Sequence, residues 1–319
     1  MATVYLYAGQ GAQKAGMGKD LYAHEEAFRR AFDSADGLDF DLHRVCFEDP
    51  DGVLMQTQYT QPCMTAVETG ITAVLREAGL RPDYTAGLSL GEYSALEAAG
   101  VLTAKETIEM TAFRGKAMAR AAEGISCGMT AVLGLPEADL QNCCRRAESL
   151  GTVSVCNYNC PGQMVIGGVK EAVDQAAVYA GEAGARRCIP LKVSGPFHTA
   201  LMAPAGEELA AYFRQVTFRE PEAVVMYNTL GGENKDGISI PDLLVKQVQS
   251  SVHMAQILRS LFAAGVTDFV EIGPGSTLTG FVRRTAKAMG ISSYRTWNLD
   301  SYDAVHKYLE DRSGGTAAV

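Results

Sequence analysis

The chain has 319 residues, 47% of them apolar, and a net charge of -9. That is enough apolar material for a large core, and the wrong sign for binding nucleic acid or an anionic membrane except through a local basic patch. The N-terminal MATVYLYAGQ has no basic segment before its apolar run, no later run approaches the ~18 apolar residues of a bilayer span, and the eight cysteines form no paired CxxC knuckles. A cytoplasmic protein with free thiols, no zinc and no other metal is expected.

In chain order, TVYLY (3–7) predicts a first strand, and TQPCMTAVETGITAVLREAG (60–79) predicts a helix with Pro62 near its first turn. DYTAGLS (83–89) predicts a second strand and GEYSALEAAG (91–100) a helix behind it. A further helix opens at Thr103-Ala-Lys-Glu106, where threonine and glutamate three apart form a capping box. The middle of the chain keeps another rhythm: strand 130–134, helix 137–150, strands 152–157 and 163–168, helix 171–184 and strand 186–191. That β-α-β-β-α-β order is the ferredoxin-like pattern. AVVMYN (223–228) and TDFVEIG (267–273) return to the first rhythm, the second leading through Pro274-Gly275 into a helix at 276–289. The alternation predicts an α/β core with a mostly parallel sheet, helices on both faces and an inserted α+β subdomain. The expected division is a large domain of residues 1–125 and 193–312, a small one of 126–192, and a flexible tail, SGGTAAV, at 313–319.

Within Gly87-Leu88-Ser89-Leu90-Gly91 a serine stands between a strand and a helix, the context of a nucleophile elbow. A serine hydroxyl attacks only when a base takes its proton and donors hold the oxyanion; there the following N–H, of Leu90, and the helix N-terminus would face the developing charge. The bland alternative is a turn residue. Of five histidines, His24, His43 and His306 lie among charged neighbours and His253 near a helix start. His198 follows Ser194-Gly195-Pro196-Phe197, a turn-rich return from the inserted segment, and is the candidate base. It could instead cap the helix expected at 199–213. No aspartate obviously completes a triad, so a carbonyl or amide oxygen is left to orient the imidazole. Arg114 shares a helix face with Met110, Ala117, Met118 and Ala121, an apolar setting in which a guanidinium needs an anion. Either it reaches a protein carboxylate or solvent, or it clamps a substrate carboxylate.

These pieces together resemble the malonyl-CoA:acyl carrier protein transacylase family. Tyr7-Ala8-Gly9-Gln10-Gly11-Ala12-Gln13 is similar to its N-terminal signature and GLSLGEYSAL to its nucleophile segment. Arg114-Gly115 with Met118, Asn159-x-Pro161-x-Gln163, GPFHTALM around His198, Gln247 and EIGPGSTLTG follow in the family's order, over nearly the whole chain. The resemblance implies a hydrolase-like α/β core with a ferredoxin-like insertion and a cleft between them. It also implies that Ser89 carries malonyl as an ester, His198 serves as base and then acid, and Gln10 joins the Leu90 N–H at the oxyanion hole. Arg114 would hold the malonyl carboxylate, Gln247 would orient His198, Asn159 would add polar contacts, and Phe197 would disfavour an α-methyl branch, ranking methylmalonyl second. The implied partners are malonyl-CoA and an acyl carrier protein that brings its own phosphopantetheine, with no cofactor in this chain, which would act as a monomer. Fatty-acid synthesis is the expected pathway for a free-standing chain; a polyketide pathway with another acyl-CoA, or a serine thioesterase, is the alternative. Arg283, Arg284 and Lys287, or Arg186, Arg187 and Lys192, are candidate basic clusters for an acidic carrier. Two departures stand out: Leu88 replaces the histidine usual before the nucleophile, and Ser251-Val-His253-Met254 replaces a common Pro-Val-x-Trp.

Overall fold

The first apolar run pairs on both sides and becomes the middle of a sheet. In the computed structural model, which describes residues 2–314, β1 (Ala2–Tyr7) lies between two parallel neighbours. Val4, Tyr5, Leu6 and Tyr7 are all buried, the continuous apolar pattern of a central strand covered on both faces. The chain then forms α1 (Lys19–His24), α2 (Glu26–Phe32), α3 (Thr57–Glu77), β2 (Tyr84–Gly87), α4 (Gly91–Ala98) and α5 (Ala104–Ala122). Next come β3 (Cys127–Leu133), α6 (Glu137–Ala147), β4 (Val153–Cys160), β5 (Gln163–Val169), α7 (Lys170–Glu182) and β6 (Arg187–Pro190). The last third adds α8 (Ala203–Phe213), β7 (Val224–Tyr227), β8 (Gly232–Glu233), α9 (Ile240–Val248), α10 (Met254–Ala263), β9 (Val266–Ile272), α11 (Thr277–Met289), β10 (Arg295–Leu299) and α12 (Tyr302–Gly314).

The main sheet runs β10-β9-β1-β2-β7-β8 and is parallel except for β8. Period-two alternation along β1 divides its burial between two layers. Tyr5 and Tyr7 meet Phe28, Cys63 and Val67 of α2 and α3, whereas Val4 and Leu6 meet Leu258, Leu261 and Phe281 of α10 and α11. The second sheet runs β4-β5-β3-β6, antiparallel throughout, the ferredoxin-like order. Val132, Val155 and Ile166 pack under α6 and α7, while Met129, Ala131, Cys156 and Val165 on the other face join Met118, Phe197 and Met202 of the main body. The small sheet is thus a wall of the same core that holds α5. It is tied down near the departure from the family pattern: the Tyr158 N–H donates to Val252 O at 2.8 Å, and His253 stacks on Tyr158 with ring centroids 5.0 Å apart.

Some elements differ from expectation. The helix expected at 137–150 ends at Ala147, with a 3-10 turn at Glu148–Leu150. The expected helix at 199–213 is a 3-10 turn, Ala200–Met202, followed by α8, so His198 does not cap it. The elements α1, α2, α9, α12, β8 and β10 are not among those expected, although Ser239, Pro241 and Asp242 mark the start of α9. Of the expected tail 313–319, residues 313 and 314 end α12 and 315–319 lie outside the described residues. Among the described residues no helix is long and apolar enough to cross a membrane, and no group of three or more His, Cys, Asp or Glu could hold a metal ion. All eight cysteines are free thiols.

Two glycines test how the backbone is packed. A Cβ on Gly87 would lie 1.9 Å from the carbonyl carbon of Gly91, whereas one on Gly280, inside α11, would meet nothing within 4 Å. Gly87→Ala is expected to lose at least about 3 kcal/mol of unfolding free energy, and Gly280→Ala to gain up to about 1 kcal/mol through helix propensity, both read by urea denaturation.

Candidate active site

β2 ends at Gly87 and α4 starts at Gly91, so three residues convert a strand into a helix. Ser89 takes the left-handed φ of 55° at the apex, a conformation that costs a non-glycine residue free energy and that here aims its side chain out of the turn. Neither flanking glycine has a positive φ. Their role is close approach: a Cβ on Gly91 would lie 2.3 Å from the Tyr7 carbonyl oxygen, so the elbow is wedged against the end of β1. The turn therefore opens at the carboxyl ends of the parallel strands, where α/β folds place their ligand crevices.

His198 reaches this turn from the return of the small sheet, with Nε2 2.6 Å from Ser89 Oγ. Nδ1 lies 2.8 Å from the backbone oxygen of Gln247. An oxygen that only accepts fixes the proton on Nδ1, which leaves Nε2 as the acceptor for the serine hydroxyl. Gln247 is in the last turn of α9, and the His198 N–H also donates to Val248 O at 3.2 Å. The imidazole is thus held at the negative end of a helix, which favours the cation that forms when it takes a proton. Burial, and after it the charge of Arg114, pushes the His198 pKa down to about 4, so the ring is a neutral base at neutral pH.

Arg114 is 1% exposed on α5 and donates from Nη2 to Ser89 Oγ at 3.1 Å and to Gln247 Oε1 at 2.9 Å. Its guanidinium also lies 5.2 Å from the centroid of the Tyr93 ring. Its Nε is buried with no hydrogen-bond partner, and no carboxylate pairs with it among the described residues. Arg114 therefore does not reach solvent or a protein anion. The Gln247 side chain also donates from Nε2 to Ser89 O at 2.8 Å. The backbone of Gln247 orients His198, while its side chain joins Arg114 to the elbow.

The other expected residues are less directly connected. Leu90 is the N-cap of α4, so its N–H follows the serine at the helix start. Gln10 lies beyond β1, donating to Thr57 Oγ1 at 3.0 Å and accepting from Gln61 Nε2 at 3.4 Å. Asn159 is buried on β4 with its Oδ1 unpartnered, and no hydrogen bond links it to Ser89, His198 or Arg114 among the described residues. Phe197 is buried in the cluster shared by α5 and the small sheet, and Leu88 packs with the α10–α11 layer. His43 and His306 pair with Asp33 and Glu25 at 2.8 and 2.6 Å, away from this turn. A cavity of about 1120 Å³ along Asp83, Tyr84 and residues 218–225 is not lined by Ser89, His198 or Arg114. The convergent chemistry, rather than cavity size, identifies the site.

One residue at the elbow escaped the sequence reading. Asn228 follows β7, accepts from the Ser89 N–H at 2.7 Å and donates from Nδ2 to Gly87 O at 2.7 Å. Its signal was slight: a polar residue ending the strand segment 223–228.

The acyl transferase domain family model matches residues 4–308. The malonyl CoA-acyl carrier protein transacylase of Bacillus subtilis is 38% identical over 300 residues, covering 92% of this chain and 95% of that one. The crystal structure of the enzyme of that name from Clostridium perfringens superposes with a TM-score of 0.92 at 34% identity, covering 99% of this chain and 98% of the other. A malonyl-transacylase in complex with a type II PKS acyl-carrier protein superposes at 0.91 with 33% identity, covering 98% and 100%.

The depressed pKa has a measurable consequence. A proton NMR titration should place the His198 midpoint near 4, where an unperturbed histidine titrates near 6.5. Because the unfolded chain binds that proton first, His198 should cost stability as pH falls from about 6.5 towards 4. Arg114→Ala removes the second cause and should move the midpoint upward; a midpoint at or above the ordinary histidine value in the unmodified protein would contradict the buried neutral ring.

Proposed function

Because the chain belongs to the acyl transferase domain family, we propose that it transfers the malonyl group of malonyl-CoA to the phosphopantetheine thiol of an acyl carrier protein, through a malonyl ester on Ser89. The observation that carries this reading is a guanidinium, buried and without a carboxylate, bonded to the hydroxyl that would be acylated. A buried cation of that kind is satisfied by a substrate that brings its own anion, and a malonyl tail does so.

In the first half-reaction Ser89 Oγ attacks the thioester carbonyl as His198 Nε2 takes its proton. The oxyanion is held by the Leu90 N–H and the Gln10 amide, helped by the start of α4. Collapse releases the CoA sulfur, which leaves with the proton from His198. The carrier thiol then attacks the ester, giving its proton to His198, and Ser89 leaves as the hydroxyl. The ester survives between the two halves because its carbonyl lies in a cleft between the main sheet and the small one, while Arg114 holds its tail. No step calls for a metal or a cofactor held by this chain. Phe197 and the tight wall around it favour malonyl over its α-methyl homologue, and Asn159 lends a polar group from the small sheet. We place the protein in the cytoplasm, acting as a monomer.

Carrier proteins are acidic, and Arg283, Arg284 and Lys287 are exposed together on α11, with Arg284 bonded to Gln163 of the small sheet at 2.5 Å. We take this patch as the docking face. Arg186, Arg187 and Lys192 are exposed as well and form the second candidate.

Intact-protein mass after mixing with malonyl-CoA should show one malonyl adduct, absent from Ser89→Ala. Release of free malonate at the same rate without any carrier would make the protein a thioesterase instead. Arg114→Ala should lower kcat/KM for malonyl-CoA by about two orders of magnitude, the usual loss on deleting one partner of a buried charged hydrogen bond, and acetyl-CoA use should fall far less. Reversing the three charges on α11 should raise KM for the carrier and leave acylation by malonyl-CoA unchanged.

A further inference from the structure

We infer that Asn228 and Glu92 are positioning residues for the nucleophile: a clip on the far side of the elbow that holds the Ser89 backbone in its left-handed conformation. Asn228 is fully buried and every polar group it carries is engaged. Its Oδ1 and Nδ2 take the Ser89 N–H and the Gly87 carbonyl, its own carbonyl accepts from the His253 N–H at 2.9 Å, and its own N–H donates to Glu92 Oε2 at 2.6 Å. Glu92 is on the first turn of α4, three residues after the serine, and is also fully out of water. The segment 87–92 is thereby laced to one asparagine at three points: the last carbonyl of the strand, the N–H of the apex residue and a side chain in the helix.

This arrangement does something that packing by itself does not. Ser89 is partly exposed, and a φ of 55° persists at a non-glycine residue only when its surroundings over-determine it. Asn228 pins the peptide before the apex, and Gln247 Nε2 pins the peptide after it at 2.8 Å. The Ser89 N–H is occupied by Asn228, so the oxyanion must look to the next N–H, that of Leu90. Glu92 joins the clip through the Asn228 N–H, and its carboxyl also feels Gln247 and Arg114. Burial pushes its carboxyl up to about 7, against the pull of the Asn228 N–H, Gln247 and Arg114, and the carboxyl can accept the Asn228 bond with or without a proton.

The inference rests on Ser89 being the nucleophile, so its test uses a probe that needs neither malonyl nor Arg114. Diisopropyl phosphorofluoridate forms an Oγ–P bond, loses fluoride and passes the serine proton to His198. Wild-type protein left unlabelled would sink the nucleophile reading itself. With wild type labelled, Asn228→Ala should react about a hundredfold more slowly, the scale of loss for a misplaced reacting group. This rate is taken per folded molecule by circular dichroism, with KM for malonyl-CoA moving less than about threefold. Should that variant not fold, Asn228→Asp is read in its place against the same hundredfold expectation: it keeps the volume and the acceptor for Ser89 but cannot donate to Gly87. Glu92→Leu should slow labelling about tenfold and Glu92→Gln, which keeps an acceptor, should restore most of the rate. Because the hydrogen bond by which Glu92 joins the clip is to Asn228, adding Glu92→Leu to the slowed Asn228 variant should cost little more. Labelling of the Asn228 variant within threefold of wild type, or a double variant slowed by the product of both effects, would overturn the inference.

Discussion

A guanidinium held out of water beside a hydroxyl constrains everything else in this cleft. Arg114 has no ion-pair partner among the described residues; at hydrogen-bonding or ring-contact distance it meets neutral groups, an amide oxygen, a serine hydroxyl and the face of Tyr93, while the buried Glu92 carboxyl acts on it only from farther away. That explains why the histidine is oriented by a backbone carbonyl. A full carboxylate next to His198 would also face Arg114 and would pair with its charge. The carbonyl of Gln247 supplies the orientation, and the end of α9 adds a partial negative charge weak enough to leave the guanidinium unpaired.

The second constraint is backbone strain. Three non-glycine residues among those described have positive φ: Asp49, Ser89 and His198. Two of them are the pair whose side chains meet at 2.6 Å. Each is held by hydrogen bonds from chain segments distant in sequence: Ser89 by Asn228 and Gln247, His198 by the carbonyls of Gln247 and Val248. Main-chain bonds to both residues, together with the Nδ1 bond of the imidazole, fix the pair and leave Ser89 Oγ and His198 Nε2 facing each other.

The small antiparallel sheet completes the enclosure. Its two faces have different partners, α6 and α7 on one side and the wall containing Phe197 and Met118 on the other. A sheet buried on both faces cannot swing away without exposing apolar area, so it stands beside α5 as a fixed wall.

Local patterns were sufficient wherever one stretch of chain carries its own physics. The capping box at Thr103 and Glu106 forms as spaced, with the Thr103 N–H donating to Glu106 Oε2 at 2.7 Å, and the β-α-β-β-α-β rhythm produces the expected small sheet. The serine turn and the apolar face bearing Arg114 were legible for the same reason: spacing along one element decides which side chains share a face. The short α9 and β10 were not, because elements of nine and five residues carry few turns or alternations of pattern. What only the tertiary structure decided is who meets whom. That the main chain of Gln247 orients His198 while its side chain serves Arg114, that Gly87 and Gly91 are required by close approach and not by φ, and that Asn228 holds the elbow all depend on segments up to 158 residues apart being brought within hydrogen-bond distance. Backbone amides and carbonyls occur at every position, so nothing in a residue's letter announces the partner that folding will give it.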